Sequence, residues 1–526
     1  MQLAAPIGLI DMKSNTNPVR LNQCRWFSKN VLQGGSGFLN NRILNTWPGS
    51  YATDAIYYYL LFDPSAKTPV DPRPDMNLNF VDLAFNKILS RTDWTTNASW
   101  FNWQCHWTTI NHQSGDGNQF EFFRKGEWLI KERSGYTNDG IGYTSAFHNT
   151  LGLQNTQPAN LQWYEAPTIE RGGQWTQGVN AGDPVVITSI HPDFVYATGD
   201  ATNLYNRPNP FSANNASTDI EFASRSIVWL KPDHIVIYDR AKSKVPDRFK
   251  RFYIQLTAEP KVSGKSMRVM TPGGQQVFLS NLLPDHAVLT PSVAEDIHVL
   301  AQEEFTTHQL TIEDPANPQD VRFLNVIQGA DANANVDQTL LIQSDTGNLF
   351  EGASFKNTLV LFPKKWGETF NATRYRVPNH ISKHIITGLE PFGGYNAAFS
   401  TIGSLCQIEL TLGNQLQADS GGVLILEHQL TGLDNHISKK TELLDIHPNP
   451  FQLTTQLQVN LAEAELLSLY ILNSNGQKIQ TVFENQWTAS GLFQTKWDAS
   501  SLPSGNYIVS LQNGQKILAQ AFVCKQ

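Results

Sequence analysis

Residues 226–240 read SIVWLKPDHIVIYDR, and this stretch decides the predicted fold class. Two apolar runs, rich in β-branched and aromatic residues, lie on either side of Lys231-Pro232-Asp233. Such residues favour a pleated, half-buried strand, and proline and aspartate are typical of the turn between two strands. The stretch therefore predicts a pair of antiparallel strands.

Similar runs recur from about residue 93 to residue 430. They include QFEFFRKGEWLIKE (119–132), RFYIQLTAEP (251–260), NTLVLFP (357–363) and GGVLILEH (421–428). Many short strands separated by turn signals, with little helix between them, predict one large antiparallel β-sandwich over residues 93–430. The same pattern argues against a parallel α/β fold.

Helical patterning is confined to residues 1–92. In YATDAIYYYLLF (51–62) and NFVDLAFNKIL (79–89), apolar residues recur at spacings of three and four. We predict a short helical segment over residues 1–92, the tail of a larger helical domain.

The end of the chain has its own alternation. The polar residues 431–440 predict a linker, and residues 441–526 predict a separate small β-sandwich. Asn475-Gly476 and Asn513-Gly514 lie between alternating runs and predict tight hairpins. The expected fold class is mainly β: a helical remnant, a large antiparallel β-sandwich and a small carboxy-terminal β-sandwich.

Length and composition narrow the functional classes. At 526 residues the chain is long enough for two or three domains, and its 16% charged and 40% hydrophobic residues argue against disorder. A net charge of -8 disfavours a nucleic-acid partner, which needs a basic surface. The four widely spaced cysteines predict neither a zinc ribbon nor a dense disulfide framework. We expect no membrane span, because no apolar run approaches about 18 residues.

The small carboxy-terminal sandwich carries an ordered set of motifs. They are Pro448-Asn449-Pro450-Phe451, Leu469-Tyr470-Ile471-Leu472, Trp497-Asp498 and Leu502-Pro503-Ser504-Gly505-Asn506-Tyr507. In this order they resemble the type A sorting domain of the type IX secretion system. The resemblance implies export through the periplasm to the cell surface or medium, with the type IX secretion machinery as a partner. A fibronectin-like accessory domain is the alternative.

Such export begins with a signal peptide. Residues 1–15 have a short apolar stretch but no preceding basic residues and no convincing cleavage site, so they do not predict one. The resemblance therefore implies that the natural amino terminus lies upstream.

A second set of motifs lies in the predicted large sandwich. Its members are Arg91-Thr92-Asp93-Trp94, Asn111-His112-Gln113-Ser114-Gly115-Asp116, Arg124-Lys125-Gly126-Glu127, His148-Asn149-Thr150 and the later Gly199-Asp200, Tyr205, Arg225 and Leu230–Arg240. In this order and spacing they resemble the sandwich domain of heparinase II/III-like polysaccharide lyases, over roughly residues 45 to 430. Under this resemblance the helical segment is the end of an α/α toroid.

The resemblance implies cleavage of an anionic, uronic-acid polysaccharide by β-elimination. That reaction needs a neutralised C5 carboxylate, a base for the C5 proton and an acid for the leaving oxygen. His112 matches the motif histidine that faces the cleft, and Tyr136 or Tyr143 can supply a phenol. We accordingly predict His112, Tyr136 and Tyr143 as catalytic. Substrate-binding residues are predicted to be Trp103, His106 and Arg124.

Many relatives also hold a structural zinc ion. The resemblance maps its ligands to His148 and, near the acidic position, Glu132, but Ser114 stands where a second histidine is expected. A serine hydroxyl is a poor zinc ligand. The site is either lost or rebuilt with Asp116, so the candidate ligands are Asp116, Glu132 and His148.

The sequence leaves three functional hypotheses open. The family's catalytic groups lie partly on the toroid, of which only the last part matches, so the chain is more credible as the carboxy-terminal part of a lyase. The main alternative is a non-catalytic carbohydrate-binding surface protein, and a purely structural adhesin is the third. His112 alone could equally be a hydrogen-bonded structural histidine. The sequence does not choose between alginate, a glycosaminoglycan or another uronate polymer.

Overall fold

The structure is a computed structural model. It describes residues 4–31, 52–62, 64–107, 114–133, 143–159, 161, 163, 165–175, 184–207, 216–295, 304–427, 442–461, 465–473, 477–489, 491–514 and 516–525. The chain divides into two compact units. The first comprises Met1–Val377 with Ile385–Leu424, and the second comprises Pro378–His384 with Ile425–Gln526.

The helices of the first unit are short. They are α1 (Ala4–Ser14), α2 (Pro18–Asn30), α3 (Ala52–Leu61), α4 (Ala166–Glu170) and α5 (Thr202–Tyr205), with 3₁₀ turns at Arg73–Asp75 and Ser145–Phe147. Helix α2 begins where Asn17 Oδ1 accepts a hydrogen bond from the Arg20 backbone N–H at 2.9 Å, with Pro18 at the first helical position. No helix in the described part of the chain is long and apolar enough to cross a membrane.

Strands dominate the first unit. They are β1 (Asn79–Asp82), β2 (Lys87–Arg91), β3 (Ser99–Gln104), β4 (Gln119–Arg124), β5 (Glu127–Ile130), β6 (Leu151–Leu153), β7 (Val185–Ile190), β8 (Phe194–Asp200), β9 (Ile220–Leu230), β10 (His234–Ser243), β11 (Lys250–Leu256), β12 (Lys261–Ser263), β13 (Ser266–Met270), β14 (Gln276–Leu283), β15 (Val288–Val293), β16 (His308–Glu313), β17 (Asp320–Ala330), β18 (Thr339–Gly347), β19 (Phe350–Phe355), β20 (Thr358–Pro363) and β21 (Ala372–Pro378). Next come β22 (Lys383–Ile386), β23 (Gly394–Ile402), β24 (Leu405–Leu412), β25 (Leu416–Gln417) and β26 (Leu424–Glu427); β21, β22 and β26 each cross a boundary between the units.

These strands form three sheets. The first sheet has the order β1-β2-β3-β4-β5-β11-β16-β15, with β6 also paired to β11. The second has the order β12-β13-β14-β17-β10-β9-β8-β7, and the third contains β25-β23-β24-β21-β18-β19-β20. The prediction of a mainly β protein built on large antiparallel sheets is confirmed.

The stretch 226–240 lies at the centre of this packing. Ile235 and Ile237 point into the core between the first two sheets, where Phe101 of β3 stacks on Trp229 of β9 with ring centroids 5.6 Å apart. Tyr238 points to the opposite face of β10 and stacks on Phe362 of the third sheet at 5.5 Å. Because β10 is buried on both faces, its residues 235–238 form a continuous apolar run.

The helix predicted over residues 79–89 is wrong. These residues form β1 and β2, paired antiparallel with Phe80 opposite Leu89. Asp82 Oδ1 accepts hydrogen bonds from the N–H groups of Ala84, at 2.9 Å, and Phe85, at 3.3 Å, and Asn86 adopts a positive φ of 45°. An aspartate that captures the backbone two residues on makes a turn, and the turn spacing imitates a helical period.

The second unit contains seven described strands after residue 441. They are β27 (Glu442–His447), β28 (Thr454–Leu461), β29 (Glu465–Leu472), β30 (Lys478–Thr488), β31 (Gly491–Asp498), β32 (Gly505–Asn513) and β33 (Lys516–Lys525). They form a sheet β27-β28-β31 and a sheet β30-β29-β32-β33 that enclose a core around Trp497. The hairpin predicted at Asn513-Gly514 is confirmed, because Asn513 pairs with Lys516. Asn475-Gly476 and the predicted linker 431–440 lie outside the described residues.

Candidate functional site

Several loops converge beside the strands of the first sheet. Asp116 lies in the loop that enters β4, Glu132 follows the end of β5, and His148 follows the 3₁₀ turn Ser145–Phe147. We call these three residues the His148 cluster. The loop of Asp116 is fixed to this turn, because Ser145 Oγ donates to the Gly115 carbonyl at 2.6 Å.

Glu132 and His148 form a hydrogen-bonded pair. Glu132 Oε2 lies 2.7 Å from His148 Nδ1, and His148 is only 4% exposed. Burial opposes the charged form of both groups, but the hydrogen bond and the opposite charge outweigh it. The pKa of His148 is raised and that of Glu132 is lowered. Nδ1–H therefore donates to the carboxylate, and Nε2 is buried without a hydrogen-bond partner among the described residues.

Asp116 completes the cluster with the opposite electrostatic behaviour. Burial raises the pKa of Asp116; the charge of His148 partly opposes this and that of Glu132 adds to it. Gln104 Nε2, at the end of β3, donates to Asp116 Oδ2 at 2.7 Å. The cluster thus contains a charged pair beside a carboxyl group whose ionisation is disfavoured.

The cluster can be compared with the predicted zinc ligands. Within the described ranges, no three His, Cys, Asp or Glu side chains converge in an arrangement that could hold a metal ion. His148 Nε2 has the character of a ligand, since a metal-bound histidine generally donates its other N–H to a carboxylate. Glu132 occupies this orienting position, so the structure places it behind the imidazole. Ser114 is half-buried, one residue from the anchored Gly115.

Of the three predicted catalytic residues, the structure describes only Tyr143. His112 and Tyr136 lie outside the described residues. Tyr143 is buried, and its backbone carbonyl accepts a hydrogen bond from the Gly115 N–H at 2.6 Å. Tyr143 therefore lies next to the loop that carries Asp116.

Two predicted substrate-binding residues lie near the same loops. His106 is half-buried, its Nδ1 has no described partner, and its charge acts on Asp116. Trp103 is fully buried in the core between the first two sheets. The prediction that Trp103 lines a cleft is wrong, because β3 alternates its side chains and turns this indole inward.

Arg124 also differs from its prediction. Its Nε donates to Asp233 at 2.8 Å and its Nη1 donates to Asp331 at 2.7 Å and to Gln275. The following hairpin turn is tight, with positive φ at Lys125 and Gly126. The Arg124 side chain, 6% exposed, ties this hairpin to residues that directly flank β10, β14 and β17, so the structure gives it a structural role.

Sequence reasoning missed two residues of this region. Gln104 holds Asp116, but nothing in the run SWFNWQ separates it from other polar strand residues. Arg133 follows Glu132 directly, and its backbone N–H donates to the Phe147 carbonyl at 3.1 Å. Its adjacency to a predicted ligand was the available signal.

Comparison with known families assigns the end of the chain. Residues 445–525 match the family described as secretion system C-terminal sorting domain. The chain therefore carries a type IX secretion sorting domain, and the protein is exported to the cell surface or beyond.

Solved structures give a more distant likeness for the rest. A heparan sulfate lyase from Pedobacter heparinus is 14% identical with a TM-score of 0.41, covering 60% of this chain and 47% of that one. A heparinase III gene product is 12% identical with a TM-score of 0.41, covering 60% and 46%. The chain spans less than half the length of either protein. No curated protein matches the chain.

Proposed function

We propose that this exported protein acts on a uronic-acid-containing polysaccharide as a lyase, and that the His148 cluster supports its reaction centre. The observation that carries the proposal is the buried Glu132–His148 pair, whose Nε2 lacks a partner in the described structure. Buried polar atoms are nearly always hydrogen-bonded, so an exception of this kind points to a ligand. The pair falls on the positions that the lyase-like motifs single out.

The reaction would be a β-elimination within the polymer. A base removes the C5 proton, the electron pair forms the C4–C5 double bond, and the C4–O bond breaks as the leaving oxygen takes a proton. Neutralising the uronate carboxylate makes the C5 proton more acidic. His112, Tyr136 and Tyr143 are the proposed proton-transfer and charge-neutralising groups. The His148 cluster would hold the segment that carries Tyr143, whose carbonyl accepts from the Gly115 N–H.

A zinc ion is the proposed ligand of His148 Nε2. Asp116 would be a second ligand and Glu132 would orient the imidazole. The ion would be structural, tying the loop of Asp116 to the turn before β6. Metal analysis of the purified protein tests this: we expect stoichiometric zinc, lost in His148→Gln. Zinc-free wild-type protein of full stability would contradict it.

The activity is tested by incubating the protein with alginate, glycosaminoglycans and other uronate polymers. Elimination creates an unsaturated uronate, which is followed by its ultraviolet absorbance. We expect product with at least one polymer, and none from His112→Ala at an unchanged melting temperature. A large stability loss in His112→Ala would instead assign this histidine to the core.

A non-catalytic carbohydrate-binding protein is the second candidate. Ser114 at the motif's histidine position and the burial of Trp103 favour it. Binding across the panel without any product would establish this candidate and end the lyase proposal.

A further inference from the structure

A polar cleft lies on the face of the first sheet that points away from the core. Its volume is about 390 Å³, and β11, β16 and β15 form its floor. On β11, Phe252 and Ile254 point into the core, so the alternate residues Arg251, Tyr253 and Gln255 line the cleft.

The floor is built from uncharged polar side chains in cross-strand rows. One row is Gln255, Gln309 and Ser292, and the next is Tyr253, Thr311 and Thr290. The side-chain amides of Gln255 and Gln309 both donate to the Ala146 carbonyl. Gln255 is fully buried, yet no described residue donates a hydrogen bond to its Oε1. The Gln255 amide is therefore fixed through its Nε2, and its Oε1 is an acceptor without a donor among the described residues.

Charged side chains form the rim. Arg171 Nη2 lies 3.0 Å from a Glu295 carboxylate oxygen, and Arg251 Nε lies 2.7 Å from Glu313. Arg133 has no carboxylate partner among the described residues, and its Nε is buried without a hydrogen bond. Among the described residues that line the cleft, three arginines face two glutamates, which leaves one positive charge without a carboxylate partner.

We infer that this cleft binds an anionic sugar unit of the polysaccharide. Arg133 pairs with its carboxylate or sulfate group, and a neighbouring sugar hydroxyl donates to Gln255 Oε1. A planar guanidinium matches an oxyanion with two donors, and hydroxyl and amide groups match the sugar rim. A merely solvated sheet face would not leave a fully buried acceptor unpaired.

The cleft adjoins the His148 cluster along the chain. Arg133 follows Glu132, and Phe147, which also lines the cleft, precedes His148. The inference rests on the proposed function, since it places one sugar unit of the same substrate beside the same loops.

Binding is tested by isothermal titration calorimetry with three tetrasaccharides: an unsulfated uronate, its sulfated form and its carboxyl-reduced neutral form. The variants are Arg133→Ala, Arg133→Lys and the control Lys365→Ala, which removes an exposed charge outside the cleft. Arg133→Ala should weaken binding of the charged sugars about 10- to 100-fold, as expected for a lost charge-assisted hydrogen bond. Arg133→Lys should restore part of the affinity, and Lys365→Ala should bind like the wild type.

The comparison of sugars identifies the anion. Loss confined to the sulfated sugar assigns Arg133 to a sulfate, and loss with both charged sugars assigns it to the carboxylate. An equal loss with the neutral sugar would overturn the inference, as would wild-type affinity in Arg133→Ala or no binding by the wild type.

Turnover separates this inference from the proposed function. Elimination by the wild type with an unchanged KM in Arg133→Ala would refute the cleft and leave the lyase standing. Arg133-dependent binding without any elimination would refute the lyase and leave the cleft standing.

Discussion

Two buried charge pairs in the first unit differ in how completely they are satisfied. Arg225 and Asp239 face each other across β9 and β10, and both side chains are fully buried. Arg225 donates to both Asp239 oxygens at 2.7 and 2.9 Å, and its Nη1 donates to the Asn118 and Asn149 carbonyls at 2.8 and 2.6 Å. This pair ties the second sheet to loops of the first.

In the second pair the His148 side chain is 5% exposed and the Glu132 side chain is 21% exposed. The two share one hydrogen bond, and His148 Nε2 has no partner among the described residues. Asp116, with its raised pKa, adds a further unfavourable charge beside them. In a low-dielectric interior each unmet group is costly. The difference indicates that the Arg225 pair stabilises the fold, and it is the reason for our proposal that the His148 cluster binds a ligand.

The largest effect is expected from Arg225→Met. It leaves Asp239 buried and unpaired, so the free energy of unfolding should fall by about 3–5 kcal/mol in chemical denaturation. Arg225→Met with Asp239→Leu should recover much of this loss, because no buried charge remains. If Arg225→Met alone lost less than about 1 kcal/mol, the claim that this pair stabilises the fold would be wrong, since surface substitutions have effects of this size.

Glu132→Gln should cost less stability and more function. Losing a charge-assisted hydrogen bond costs about 1.5–3 kcal/mol, and an orienting partner of a ligand histidine is worth about 10- to 100-fold in metal affinity or activity. Denaturation, zinc titration and product formation measure the three effects.

A matched control for this variant exists in the same unit. Asp337 lies 2.8 Å from His234 Nε2 and is 24% exposed, against 21% for Glu132. Asp337→Asn should leave zinc affinity and turnover unchanged. Equal functional losses in both variants would show that the His148 cluster is not special.

The sequence predicted the strand-rich fold because strands leave a local signature. The runs on the two sides of Lys231 are apolar because the end of β9 and the start of β10 are buried, and Asn513-Gly514 marks its hairpin directly. Residues 79–89 escaped the prediction because the turn at Asp82 gives strand residues a helical spacing. The turn is fixed by hydrogen bonds from the backbone to the Asp82 side chain, and the spacing of apolar residues gives no information about such bonds.

The candidate site was predicted less completely. Glu132 and His148 form a hydrogen-bonded pair and Asp116 is influenced by the charges of both, but whether the three residues bind a metal stays a prediction. The orientation of Glu132 behind the imidazole and the inward turn of Trp103 depend on loop geometry and strand register. Arg124 looked available because its partners, Asp233 and Asp331, lie more than a hundred residues away.

Asp116→Asn should stabilise the zinc-free protein at neutral pH, because burial raises the pKa of this carboxyl group. The folded pKa of Asp116 is raised, so its ionisation costs stability once the pH exceeds the unfolded value of about 3.9. Asparagine removes this cost and keeps an oxygen for Gln104. The gain should vanish at more acidic pH, where the carboxyl is protonated in both states. Denaturation with a chelator at several pH values measures it, and a less stable variant at neutral pH would contradict the assignment.

Asp331→Asn should have the smallest effect on stability. It tests an exposed charge pair against the buried Arg225 pair. Arg124 and Lys125 hold the pKa of Asp331 at about 2, and this carboxylate is 58% exposed. A lowered carboxyl pKa stabilises the fold above the unfolded value of about 3.9, and this contribution is lost as the pH falls towards 2. Solvent screening limits it to under about 1 kcal/mol, and added salt should shrink it further. Urea denaturation of the variant and the wild type at low and high salt measures the difference. A salt-independent loss above about 2 kcal/mol would mean that this pair behaves like the buried Arg225 pair. Exposure would then no longer distinguish charged groups that stabilise the fold from charged groups that are solvated.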